Sequence, residues 1–138
     1  MKINNILNLI RNIHKNSVII IVIDYNKFRI YNEDSYICNY IFKYDLHYLK
    51  YYKFIIIKIE YLNYVKYHLR KLNINYIILD KHDGYNLIDK YITNDNNYLT
   101  YLNKSKIYHK RMNIINKIKK IRNENKINLI KEKIMCYE

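Results

Sequence analysis

The stretch "IDYNKFRIYNED", Ile23 to Asp34, sets an aromatic ring between two cations and ends on a pair of carboxylates. Phe28 flanked by Lys27 and Arg29, with Tyr25 just before them, has the makings of a nucleic-acid contact: rings stack on bases and cations meet phosphates. The same residues also spell an ordinary strand. At period 2, Lys27, Arg29 and Tyr31 share one face and Phe28 and Ile30 the other, which favours Phe28 as core and leaves the cationic row outside. A second cationic set, Lys117, Lys119 and Lys120, stands opposite an isoleucine stripe in the C-terminal region. The candidate nucleic-acid contacts are thus Tyr25, Lys27, Phe28, Arg29, Lys117, Lys119 and Lys120.

Catalytic constellations are harder to find. There is no Gly-rich phosphate loop, no GxSxG, no HExxH and no CxxC, and the single Gly makes a backbone cradle for phosphate difficult to build. Glu33-Asp34 reads as a dipole partner at a helix start rather than an acid–base pair, and His82-Asp83 beside Gly84 reads as turn chemistry. Asp24, Glu33, Asp34, Glu60 and Asp80 would make a nuclease metal site only if three or more of them converged at one sheet edge. No catalytic residue, metal or cofactor is therefore expected, and the chain reads as a non-enzyme.

A length of 138 residues suits one domain with a modest core. Ile, Lys, Asn and Tyr dominate, while Ala, Pro, Gln and Trp are absent. The favoured residues have codons that can be written in A and T alone, so two causes compete for the net charge of +13: mutational drift toward Lys, and selection for an acidic partner. Two cysteines, Cys38 and Cys136, lack metal-ligand spacing and make no disulfide framework, which fits a reducing cytoplasm. The longest aliphatic run, Val18 to Ile23, is far too short to cross a bilayer, and the first fifteen residues lack the apolar core of a signal peptide. No membrane association is expected.

The elements that must position the candidates follow from periodicity. Ile3, Ile6, Leu7, Ile10 and Ile13 predict an amphipathic helix. "VIIIVID" predicts a central strand covered on both faces, and "KFRIY" its antiparallel neighbour. Asn32 is placed to cap a helix carrying Ile37, Ile41 and Tyr44. "LHYLKYYKFIIIKI" predicts two strands joined by a turn, Leu62, Val65, Leu69 and Leu72 a helix, and "INYIILD" another buried strand. A crossover through that helix makes its two flanking strands parallel. "KHDGYN" is a turn, "YITNDN" a short edge strand, and the chain from Tyr98 is helical, with a polar break at "RNEN" separating the stripe Leu102, Ile107, Ile114, Ile118 and Ile121 from Ile127, Ile130 and Ile134. From Tyr101 onward there are eleven Lys/Arg against three Glu. The fold class is α/β, a mixed β-sheet flanked by helices, with a domain over 1–96 and a basic helical extension over 97–138.

In this order of elements, three strings carry a family resemblance: "VIIIVIDYNKFRIYNEDSYI", "LNYVKYHLRKLNINYIILD" and "DKHDGYN". With the first helix, they make residues 1 to 95 resemble the N-terminal, mismatch-recognition domain of the DNA mismatch repair protein MutS, in the free-standing form that carries only a helical tail. The resemblance implies that the edge holding Tyr25 to Arg29 faces DNA. It also implies a loss: aligned on the acidic pair, the family's mismatch-reading Phe falls at Lys27 and its Glu at Arg29, the Gly before them at Tyr25, and a later Gly-Phe-Pro on Ile56, Ile57 and Lys58. A one-residue slip would bring Phe28 into register but turn every other side chain to the wrong face. The expected function is a non-catalytic DNA-binding module, linked to mismatch repair, whose cations hold phosphates and position without specifying. The alternative is a protein-interaction or regulatory domain that self-associates or meets a partner through the C-terminal helices.

Overall fold

The computed structural model describes the backbone of residues 2–136 and the side chains of residues 2–128. Two units are distinguished, one ending at Ser105 and one beginning at Lys106. Helices α1 (Ile3–Ile13), α2 (Asn32–Phe42), α3 (Leu62–Lys71) and α4 (Tyr98–Cys136) alternate with strands β1 (Val18–Val22), β2 (Lys27–Tyr31), β3 (His47–Leu49), β4 (Tyr52–Lys58), β5 (Tyr76–Asp80) and β6 (Asn86–Tyr91). The strands form one mixed sheet in the order β3-β4-β2-β1-β5-β6. Only β1 and β5 pair in parallel, and β2 pairs antiparallel with both β1 and β4. Strands β4, β1 and β5 therefore run the same way, as the α3 crossover requires, although β1 and β2 lie between β4 and β5.

Both faces of the sheet are covered at its central strands, while the edge strands β3 and β6 are largely exposed. On one face, Phe28 and Ile30 pack with Ile37 and Cys38 of α2, Val65 and Leu69 of α3, and Tyr98 and Leu102 from the first turns of α4. On the other, Leu7 and Ile10 of α1 cover Ile19, Ile21, Tyr31, Phe54, Ile77 and Leu79. Double coverage explains why β1 is apolar at both parities. It also corrects the row assigned to solvent. Tyr31 is buried and Arg29 half-buried, because their face is the one roofed by α1.

Three other expectations are revised. Asn32 does not cap α2 through its side chain; its Oδ1 accepts from the Lys53 N–H at 3.3 Å, and the capping position is Tyr31. The edge strand β6 lies at Asn86–Tyr91 and shares only Tyr91 with "YITNDN". No break occurs at Arg122–Asn125, since α4 is continuous through it; Asn, Glu and Arg are all tolerated in helices, and neither Gly nor Pro is present. The second isoleucine stripe falls mostly outside the described side chains, which include Ile127 but not Ile130 or Ile134.

With one glycine, the chain makes its left-handed corners from other residues. Gly84 has φ +59°, but Asn16, Asn32 and Asn73 occupy the same region at 55°, 53° and 56°. Asn is the residue after Gly that enters it at least cost, because its short amide bonds locally to the backbone.

Candidate nucleic-acid interface

The seven sequence candidates fall into two groups that the fold treats differently. Strands β1, β4 and β5 leave the sheet at the same end, through Ile23–Asn26, the short 3₁₀ turn Ile59–Tyr61 and the 3₁₀ turn Lys81–Asp83. Ligand sites in open α/β sheets gather at such carboxyl ends. Tyr25 stands there with 92 % of its surface exposed, its ring stacked on His82 at 6.2 Å. Lys27 opens β2 and lies directly across from Lys58 of β4. Directly opposed residues of an antiparallel pair share a face, so two like charges stand side by side, an arrangement that costs energy unless an anion intervenes. Asp24 offsets part of that cost from 3.9 Å.

Phe28 is corrected as a contact residue. It is fully buried among the α2 and α3 side chains, so no base can reach it. Arg29 points to the opposite face, where its guanidinium lies 4.5 Å from the Phe54 ring centroid, and its Nε is buried without a hydrogen-bond partner. Burial raises the Tyr31 hydroxyl's pKa, and a hydrogen bond and the charge of Arg29 act against that rise. Arg29 is thus held in an aromatic nest with Tyr31 and Phe54 rather than presented to solvent.

Three carboxylates at this end are engaged locally. Asp24 accepts from the Asn26 N–H at 2.7 Å, Asp80 from the His82 N–H at 3.0 Å, and Asp83 from the Asn86 side chain at 3.3 Å. Among the described residues, no three His, Cys, Asp or Glu side chains could hold a metal ion together.

The second group is helical. Between Lys106 and Asn128, eight Lys/Arg are exposed against one acid, Glu124. Lys117, Lys119 and Lys120 do not form one row. At about 100° per residue, Lys119 lies about 160° from Lys117, whereas Lys120 lies only about 60° away. The row that does form is Lys106, Lys110, Lys117 and Lys120, within an arc of about 80° and over about 21 Å of helix. Sequence reading missed Lys106 and Lys110 because it looked for neighbours in the chain rather than neighbours on the helix. Ile107, Ile114, Ile118 and Ile121 are all exposed, and Ile127 stands about 240° around the axis from Ile121, so their stripe does not continue through it.

A cleft of about 390 Å³ in the first unit centres on residues outside the seven sequence candidates. Asp34 is buried at its base. Its Oδ2 accepts from Arg11 Nη2 and from the Ile19 N–H at 2.9 Å, and its Oδ1 accepts from the Tyr98 hydroxyl at 2.6 Å. Arg11 also donates from Nη1 to the carbonyls of His14 and Ser17. Burial raises the Asp34 carboxyl's pKa, against the pull of Arg11, Tyr98 and the Ile19 N–H, and burial with the Asp34 charge pushes the Tyr98 hydroxyl well up. Every donor aimed at the carboxylate is committed to tying α1, β1, α2 and α4 together. Asp34 is therefore a buried anchor, not merely the helix-dipole partner its position suggests.

Among the described residues, no helix is long and apolar enough to cross a membrane. No protein-family model matches the chain, and no curated protein matches it.

Proposed function

We propose that the protein is a non-catalytic, cytoplasmic nucleic-acid-binding module of the kind found at the N-terminus of MutS, one that grips phosphates and does not read mismatches. The single observation that carries this reading is the exposed lysine row of α4, set in a stretch where eight cations face one acid. The Lys27–Lys58 pair adds a second place where an anion relieves like-charge repulsion. Against mismatch reading stands the burial of Phe28: the only aromatic between the two cations has no route to a base stack.

Phosphate binding makes affinity fall steeply with salt, by about one power of salt concentration per phosphate contacted. Full-length protein is titrated with labelled matched and mismatched duplexes at several salt concentrations. The expected outcome is equal affinity for both, with a log–log salt slope that drops by about two in the double variant Lys117→Gln/Lys120→Gln. A tenfold preference for the mismatch would overturn the assignment of lost mismatch reading, and a flat salt response would overturn phosphate binding.

A second reading is favoured by one observation, the exposed isoleucine stripe of α4. A protein-interaction domain would use it to self-associate or to meet another helix. Sedimentation showing a concentration-dependent dimer, together with no nucleic-acid shift, would favour that reading.

A further inference from the structure

We infer that the β3–β4 hairpin forms a stacking cleft for an unpaired nucleobase with its phosphate, so that the protein prefers single-stranded to duplex nucleic acid. This rests on the nucleic-acid-binding reading above and names the form of ligand. The cleft measures about 360 Å³ and is walled by Glu33 and Tyr36 of α2 and by Tyr48, Lys50, Tyr51, Tyr52 and Lys53 of the hairpin. That volume lies within the range of small-ligand sites. Two ammonium groups outnumber the one carboxylate, and since the Tyr52 ring packs on Tyr31 and Phe54 at 5.7 and 5.9 Å, the rings of Tyr36, Tyr48 and Tyr51 are the ones that match a flat π-system carrying an anion.

The rings are held ready rather than loosely scattered. The turn is fixed from one side by Asn4, whose Nδ2 donates to the Tyr51 carbonyl at 2.9 Å, and from the other by Asn32, which accepts from the Lys53 N–H. Tyr48 and Tyr51 remain largely exposed. At present the ring faces are met by cations: Lys53 Nζ lies 4.8 Å from the Tyr36 centroid and Lys50 Nζ 5.2 Å from that of Tyr51. Stacking of a base on tyrosine is stronger than an exposed ammonium-on-ring contact. An entering base therefore displaces the lysines, and each freed ammonium turns to the phosphate. Duplex cannot use the cleft, because its bases are already stacked and paired.

Full-length protein and the variant Tyr48→Ala/Tyr51→Ala are titrated, by fluorescence anisotropy, with a labelled single-stranded oligonucleotide and with a duplex of the same length. Adenosine monophosphate serves as competitor. The expected result is a single-strand preference in the parent protein that falls about tenfold or more in the variant, with duplex affinity unchanged and circular dichroism confirming the fold. Competition by the mononucleotide at equal nucleotide concentration would identify a free nucleotide as the ligand, and competition only at large excess a strand. A single-strand preference that survives the double substitution, or one never present, overturns the cleft while leaving phosphate binding standing. Failure of the parent protein to bind either polymer at low salt overturns the nucleic-acid reading itself, and the cleft then survives only if the mononucleotide alone binds and the variant abolishes it.

Discussion

Replacing Asp34 with Ala should cost the fold about 3–5 kcal/mol, the range for removing one partner of a buried ion pair. The carboxylate serves three donors of unequal consequence. The Ile19 N–H lies in a buried strand and would be left unpaired, at about 1–3 kcal/mol. The Tyr98 hydroxyl, also buried, would lose its acceptor at a cost of about 1–2 kcal/mol. Arg11 keeps 34 % of its side chain in solvent and can rehydrate, so its share is discounted to a fraction of its buried value. Tyr98→Phe, which strands only one carboxylate oxygen, should cost about 1–2 kcal/mol. The charge adds a pH signature. Because burial raises the Asp34 carboxyl's pKa in the folded state, that state binds the proton more tightly than the unfolded chain. Stability contributed at this site therefore falls as pH rises from the ordinary carboxylate value, about 4, through the folded-state value, and is level above it. In Asp34→Asn that component vanishes. Urea unfolding followed by far-ultraviolet circular dichroism, at several pH values from 4 to 8, measures both effects. An Asp34→Ala loss below about 1 kcal/mol, or a wild-type minus Asp34→Asn difference that grows with pH, would refute the anchor.

Two further perturbations separate the roles of neighbouring residues. Phe28→Ala should lose about 3–5 kcal/mol in thermal or urea melts, as a core aromatic does, while Tyr25→Ala should stay within about 0.5 kcal/mol; equal losses would contradict the strand's facing. Lys66 sits 2.5 Å from Asp89 and holds its carboxyl below the ordinary value, mainly by hydrogen bonding. That contribution is present at neutral pH and is lost as pH falls through the depressed value, so Lys66→Met should flatten the acid limb of the stability curve while costing no more than about 1 kcal/mol at pH 7.

Most of the architecture was legible because the apolar residues recur at either period 2 or helical spacing, and most of the elements built from them fell where the periods placed them. The edge strand β6 was misplaced because "NLIDKY" puts Leu and Ile side by side, and its pairing with β5 carries a register shift at Ile78/Leu79, so no clean alternation marks it. The outward assignment of Arg29 and Tyr31 followed their polar types. What overruled it was the roof of α1, a tertiary fact without a local signal. Asp34 illustrates the same limit: its partners Arg11 and Tyr98 lie 23 and 64 residues away, and a carboxylate in a helix's first turn looks alike whether it meets water or three donors. The hairpin cleft was hidden for a different reason. In a chain with eighteen tyrosines, the four that line one opening raise no alarm until coordinates bring them together.

The asparagine corners bear on how a chain with one glycine makes its tight bends. Glycine loses more backbone freedom on folding than any other residue, so a protein whose tight bends at Asn16, Asn32 and Asn73 use a side-chain-bearing residue starts from a denatured ensemble already narrowed at those points. The bends cost some local strain and return it as reduced disorder in the unfolded state. A chain with a single glycine can thereby keep its reversals of direction sharp, and scarcity of glycine is no measure of how compactly a protein can turn.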